Sequence, residues 1–559
     1  MKKTARYLAL FLVVNFIISL SACGSQPEAP AVQTPKQTTD NTPTPTETPE
    51  ASTTAAVITY PLTDEETIFT AWSAITPACL QYMDSRTTNP VVKAVNEATG
   101  VTLQVIDVGA LAAREQFQIM FAAEEWPDFC AGFHSYYTGG GFDTAVNENI
   151  IYDIAPHIAE WAPDYYRALL EHDLMQDVMT ADGNIVQLAD IYIEASQDKG
   201  LVIRKDWLDD VGLEVPSTYD ELHEALMRFK TELNKPGAFF LSSTGASGGQ
   251  TLGGGYLVAD SYASAINSFP YSMDNDTVVF GWTQDEYKDL LHLYSMWFSE
   301  ELIWSDYMTS GTMPILSSNS SGHAEFAAGN LGVAYTEYGD LVTMSEHVEG
   351  MAVAPMVSPT KHSGEVNYLT QGADTSGNGF VIMTSCDDLK MALNYMNYYY
   401  TNDGMILKSW GIEDLTYKME GDQYSFTELV ANNPDGMSFN VAINVYVLNF
   451  WPGITDKSRD LSPYVSSGIN AAEIWTSNAD YSRCYPVKSK NMMTAEESAM
   501  WSAAFAEITT YRNETVNKFI IGELDIDENW DEYLARMEEL GASDCTSYIQ
   551  AAYDRYILK

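Results

Sequence analysis

Asp206-Trp207-Leu208-Asp209-Asp210-Val211-Gly212-Leu213-Glu214-Val215-Pro216-Ser217-Thr218-Tyr219-Asp220-Glu221 is the stretch from which the fold is read. Gly212 ends a short helix, because glycine enters the left-handed conformation without a steric penalty. After Pro216 the chain restarts a helix, with Ser217 or Thr218 as N-cap and Asp220 or Glu221 as the capping acid. These residues read as scaffold rather than as ligand contacts.

Toward the N-terminus the same alternation continues. Ile68-Phe69-Thr70-Ala71-Trp72 predicts a strand, Pro90 to Gly100 a helix with a glycine stop, and Thr102-Leu103-Gln104-Val105-Ile106 a second strand. Arg114 to Ala123 predicts a helix running into Trp126-Pro127-Asp128-Phe129. From Tyr60 onward, short β-branched runs alternate with longer helical patterns, which is an α/β signature. No internal repeat is apparent.

Length and charge narrow the function. The chain has 559 residues, 46% hydrophobic and 19% charged, enough to bury a large core. With 29 Lys+Arg against 77 Asp+Glu, its formal net charge is −48. That field repels phosphate backbones and excludes a general nucleic-acid role. It mildly disfavours polyanionic ligands too, unless a local basic pocket overrides it.

The N-terminus carries an address. Lys2, Lys3 and Arg6 precede an apolar run from Leu8 to Leu20, as in a secretory signal peptide. Leu20-Ser21-Ala22-Cys23-Gly24 resembles the bacterial lipobox, which implies removal of residues 1–22 and lipidation of Cys23. A diacylglyceryl thioether supplies the two chains that stable anchoring needs. Residues 23–57 are rich in Pro, Thr, Gln, Ala and Glu, as in Thr42-Pro43-Thr44-Pro45-Thr46, and predict a disordered tether. The five later cysteines, Cys79, Cys130, Cys386, Cys484 and Cys545, are widely spaced, with no CxxC pair. Most are expected to be buried free thiols, with one long-range disulfide left open.

Further motifs add to the one quoted first. Tyr60-Pro61-Leu62-Thr63 precedes the first strand, and Asn96-Glu97-Ala98-Thr99-Gly100-Val101 precedes the second. Phe326-Ala327-Ala328-Gly329-Asn330-Leu331-Gly332-Val333 enters another strand, and Phe519-Ile520-Ile521-Gly522-Glu523, Trp530-Asp531-Glu532-Tyr533 and Gln550-Ala551-Ala552-Tyr553-Asp554-Arg555-Tyr556 lie near the end. In this order, together with Trp126-Pro127-Asp128, they resemble the family 1 extracellular solute-binding proteins, in their long oligosaccharide-binding branch. There are two departures: Glu301 and Asp414 stand where the family usually has Gly. Both put local turn geometry in question.

Catalytic motifs fail their structural requirements. Gly245-Ala246-Ser247-Gly248-Gly249 fits the nucleophile-elbow pattern, but Gln250-Thr251-Leu252-Gly253-Gly254-Gly255 cannot open the helix an elbow needs. Asp525-Ile526-Asp527-Glu528-Asn529 starts like a calcium loop, yet Trp530 and Arg536 occupy the positions of its Gly and Glu. It reads as a helix start. No catalytic residue, metal ligand or cofactor is expected.

Aromatic content is the remaining signal: 12 Trp, 34 Tyr and 21 Phe. Sugar sites want aromatic platforms with polar rims. Trp207, Trp297, Trp501 and Trp530 sit on helical patterns and read as packing. Trp72, Tyr136, Tyr137, Trp282, Trp304, Tyr338 and Trp451 fall at strand ends or in loops, and are the candidate ligand platforms. Trp72 closes its predicted strand, where ligands of open α/β sheets bind, or else it belongs to the core. Asp128 either bonds a ligand or caps its turn. Glu337 and Tyr338 come just after the strand Gly332 to Thr336, where related receptors present cleft residues. Trp451-Pro452-Gly453 reads as a rigid, exposed aromatic turn.

The resemblance implies an α/β, two-lobed, type II periplasmic-binding-protein-like fold with several inter-lobe crossings. Lobe one is expected over 58–195 and 355–408, and lobe two over 196–354 and 409–559. The implied function is a lipid-anchored extracellular receptor of an ABC importer. It would be monomeric, hold a carbohydrate such as a neutral oligosaccharide between its lobes, and hand it to permease subunits. Two rivals stand beside it: a cell-tethered glycoside hydrolase, and a sugar-sensing receptor for a signalling kinase.

Overall fold

A computed structural model describes residues 57–193, 199–239, 270–307, 325–337, 348–368, 375–421, 423–449, 451–460 and 471–558. Cys23, the tether, the Gly245–Gly249 motif and Tyr338 lie outside the described residues. Residues 54–559 cluster as one compact unit.

Two sheets organise this unit. The larger contains β1 (Thr67–Ile75), β2 (Val101–Gly109), β3 (Phe129–Ala131) and β4 (Gln187–Ile193). The smaller contains β5 (Lys199–Arg204), β6 (Val333–Glu337) and β7 (Val353–Met356). β8 (Thr375–Ile382) and β9 (Gly453–Asp456) return to the larger sheet, whose strand order is β9-β4-β8-β3-β1-β2. β1 pairs parallel with β2 and β3, β9 pairs parallel with β4, and β8 runs antiparallel to both of its neighbours. In the smaller sheet the central β5 is antiparallel to β6 and β7. Strand β9, from a stretch expected in lobe two, thus pairs with β4, from a stretch expected in lobe one. Leu448, Trp451 and Ile454 carry it into the larger sheet's core.

Local sequence explains the elements. The helix Pro90–Thr99 starts where the Asn89 side chain accepts from the Val91 (2.8 Å) and Val92 (3.4 Å) backbone N–H groups. It ends at Gly100, whose φ is 73° and where a Cβ would collide with the Thr63 carbonyl oxygen. Its Val91, Val92 and Val95 are buried in the core of the larger sheet. The helix Lys205–Val211 ends at Gly212 with φ 67°. The next, Tyr219–Glu232, resolves the open choice of caps: Thr218 accepts from Glu221 N–H, and Glu221 reaches back to the cap. The Asp525 segment is a helix start, its side chain accepting from Glu528 N–H at 2.9 Å.

Glu301 and Asp414 keep the backbone geometry of the glycines they replace, with φ 55° and 64°. The turns survive the substitution; the strain falls on the residue. Cys79, Cys130, Cys386 and Cys545 are buried free thiols and Cys484 is a half-buried one, so the described cysteines form no disulfide. Trp207, Trp297, Trp501 and Trp530 all pack in the core of the smaller sheet and the C-terminal helices.

Buried charge fastens the larger sheet to neighbouring elements. Arg86 Nε donates to Asp107 at 2.7 Å, with both side chains nearly inaccessible. Lys408 Nζ donates to Asp190 on β4 and to Thr455 on β9, with no exposure of either charged side chain.

Candidate ligand-binding site

A cavity of about 520 Å³ opens between two segments far apart in sequence, 133–143 and 490–503. The first wall comes directly after β3. Gly132, at φ 61°, turns the chain into the short helix Phe133–Tyr136. Gly140 and Gly141, at φ 104° and 91°, then turn it into the helix Phe142–Asn147. A side chain at either position would be strained, and a Cβ on Gly141 would approach Ser498 Oγ of the opposite wall at 3.4 Å.

The second wall is the turn Val487–Met492 and the start of the helix Ala495–Ile520. Thr494 and Glu497 cap that helix reciprocally, at 3.2 and 2.8 Å. Ala495, Ser498, Ala499, Ser502 and Ala503 face the cavity from one side of it. Spacings of three and four place these small residues on one stripe, and their size leaves the space open. The turn is pinned from two directions. Asn491 Nδ2 donates to the Asp177 carbonyl at 3.1 Å, and Arg555 donates to the Met492 carbonyl at 2.6 Å.

Tyr137 and Phe142 surface the first wall, packed on the fully buried Phe133. Tyr137 stacks on Phe133 at 4.8 Å and 22°, and Phe133 stacks on Phe142 at 6.4 Å and 16°. The Tyr137 hydroxyl donates to Glu148 at 3.2 Å. Burial, reinforced by Glu148, pushes its pKa up to about 12, so it stays protonated. His134 and Lys490 also line the cavity. His134 keeps part of its side chain in solvent, yet the protein packed around its ring, with Lys488 and Lys490 nearby, pulls its pKa down to about 4, leaving a neutral imidazole at pH 7. Burial lowers that of Lys490 to about 8, and its ammonium lies 3.9 Å over the Trp501 ring. Asp143, the carboxylate of the wall, is occupied by Thr180, the Asp182 N–H and Asn184.

Of the residues singled out from sequence, Tyr137 lines this cavity. Tyr136 is next to it but turns away, its ring edge-on to Trp72 at 5.3 Å and tilted against Phe117 at 5.6 Å. Trp72 itself is a correction. Its strand continues three residues beyond it to Ile75, and the ring is only 2% exposed, packed on Phe117. Trp282 is wholly buried between Phe505, at 5.7 Å, and Arg512, at 4.7 Å. Trp451 is no exposed turn either: it is fully buried and lies edge-on to Phe380 at 4.7 Å, because the chain runs directly from it into β9 and the sheet. Asp128 is engaged across the sheet, tying its turn to β1 by accepting from the Thr70 N–H at 2.7 Å and from the Thr70 hydroxyl at 2.8 Å. Trp304 is half-buried against the core and outside the cavity lining. Glu337 closes β6, in register with Lys199.

Sequence reasoning missed the second wall. The Ala/Ser stripe from 495 to 503 was legible by its helical spacing; the lysines of the preceding turn were not, since nothing local says what they face. Among the described residues no cluster of His, Cys, Asp or Glu is placed to hold a metal ion. None of the described helices is long and apolar enough to cross a membrane.

Residues 84–406 match the model of the bacterial extracellular solute-binding protein family. The chain belongs to that family. Among curated relatives, lipoprotein LipO of Bacillus subtilis is 22% identical over 361 residues, 62% of this chain and 67% of LipO. The polygalacturonan/rhamnogalacturonan-binding protein YtcQ of Bacillus subtilis is 25% identical over 279 residues, 48% of this chain and 53% of YtcQ. Among solved structures, the alginate-binding protein AlgQ2 without calcium ion superposes with a TM-score of 0.69 at 20% identity, covering 88% of this chain and 99% of AlgQ2. The α/β, two-lobed periplasmic-binding-protein-like architecture is thus that of this chain.

Proposed function

We propose that this solute-binding protein is the carbohydrate receptor of an ABC importer, anchored through lipid on Cys23 and acting as a monomer outside the cell. The observation that carries the reading is the cavity between 133–143 and 490–503, with the partly exposed rings of Tyr137 and Phe142 on one wall, backed by the buried Phe133. Stacked rings beside hydroxyl and amide groups suit the apolar faces and polar rims of sugars. The names of AlgQ2 and YtcQ, which bind polysaccharides, support the same class of ligand. The receptor would release its sugar to permease subunits, and ligand would favour whichever conformation binds it better. No cofactor is required by this reading, and no bond of the sugar is broken.

The test is a thermal-shift panel of oligosaccharides, with the recovered sugar analysed after long incubation. A stabilising sugar recovered intact supports a receptor, and Tyr137→Ala should weaken its binding roughly tenfold to a hundredfold. Cleavage of the sugar would refute it. Separately, Cys23→Ala should move the protein from membranes to the soluble fraction; a variant that remains on membranes overturns the lipid anchor.

A further inference from the structure

We propose that the saccharide held in this cavity is acidic, with a carboxylate seated against Lys490 and His134 on its lining and the charge of Lys488 close behind them. This rests on the reading of the cavity as a sugar site and names the class of sugar. The overall charge of −48 points the other way, toward a neutral ligand. But charges farther than about 8 Å are screened at physiological salt, so the field inside the cavity is set by the nearest groups.

On the lining those groups are Lys490 and His134, and the described carboxylates nearest them are held by other partners. Lys488 and Lys490 flank Ser489, which is buried and donates to the Tyr485 hydroxyl at 2.6 Å, fixing the turn that carries both lysines. His134, across the cavity, is close enough to feel the charge of each lysine. Asp143, from the helix Phe142–Asn147, is committed to Thr180, Asp182 and Asn184. Glu148 accepts from Tyr137. Asp177, from the helix Met175–Val178, accepts from the Tyr556 hydroxyl at 2.7 Å, and Asp190 is paired with Lys408. Arg555 and Glu497, from the two C-terminal helices packed on the turn, are paired with each other. The carboxylates named here are thus turned to other partners, while Lys490 and His134 stay on the cavity lining.

The energetics run the same way. A lysine whose ammonium is disfavoured by burial regains its charge when an anion arrives, so binding takes up a proton near pH 8. The affinity for an acidic sugar therefore falls as pH rises through 8 to 9, because the free protein then holds more neutral Lys490.

The experiment is calorimetric titration of the full chain with trisaccharides of mannuronate, guluronate, glucuronate and galacturonate, each beside its carboxyl-reduced neutral counterpart. At least one uronide should bind ten times or more tighter than its counterpart at pH 7, and this preference should shrink at pH 9. In Lys488→Met/Lys490→Met the ratio of the two affinities should collapse toward one. If that variant melts early, Lys490→Gln, at the half-buried lysine of the lining, should cut the ratio severalfold by itself. Neutral sugars binding as well as or better than uronides would overturn the acidic ligand while leaving the sugar receptor standing. So would a preference that survives both variants. If no sugar binds at all, the carbohydrate reading itself fails.

Discussion

Trp72→Ala separates a core tryptophan from a binding platform. The ring is 2% exposed and meets Phe117 at 5.7 Å and Tyr136 at 5.3 Å, both edge-on. Burying an aromatic side chain removes about 150–250 Å² from water, worth about 4–6 kcal/mol at 25 cal/mol per Å² as an upper bound. Truncations of buried Trp cost about 3–5 kcal/mol. Spread over a cooperative unit of about 500 residues, whose unfolding entropy is about 1 kcal/mol/K, this lowers Tm by about 3–5 °C. Urea unfolding of the ligand-free protein gives the same quantity from the shift in midpoint at constant slope. The reasoning fails if Trp72→Ala unfolds at the wild-type urea concentration. It fails equally if the variant keeps its stability and loses only affinity for sugar.

Other substitutions probe the rest of the frame. Lys408→Met should destabilise by about 3–5 kcal/mol by stranding a buried carboxylate, and adding Asp190→Asn should recover part of that loss in the same urea assay. Glu301→Gly should gain about 0.5–1 kcal/mol by relieving a left-handed non-glycine residue. Asp414→Gly should gain less, since Asp tolerates that region better; a loss at Glu301 would show that its contact with Lys230 matters more than the backbone. His134, normally near 6.5, is held at about 4 in the folded chain, so the unfolded state binds more protons between those values. Stability from this group is present above pH 6.5 and is lost as pH falls toward 4. His134→Gln should accordingly lose less stability than wild type between pH 7 and pH 5, and equal losses would refute the shift.

The fold was legible because its signals are local. Asn89, Gly100, Gly212 and Thr218 cap or stop helices through bonds made within a few residues, and each element stands within about three residues of its predicted limits. The site was less legible, because burial is decided by distant parts of the chain. Trp451 reads as an exposed turn until β9 is known to pair with β4. Trp72 reads as the end of a strand until the parallel register with Val101–Gly109 carries that strand on to Ile75. Tyr137 was legible as a loop aromatic, whereas its partners on the second wall lie some 350 residues away and no sequence pattern links the two.

If the cavity between 133–143 and 490–503 holds the sugar, filling it must abolish binding. Ala499 is exposed on its helical wall, so Ala499→Trp fills the space without disturbing a core. A sugar at a hundred times its dissociation constant should stabilise the wild type by about 2.7 kcal/mol. Ala499→Trp should melt like wild type without ligand and gain nothing from that sugar. Equal stabilisation of both proteins by the same sugar would contradict it.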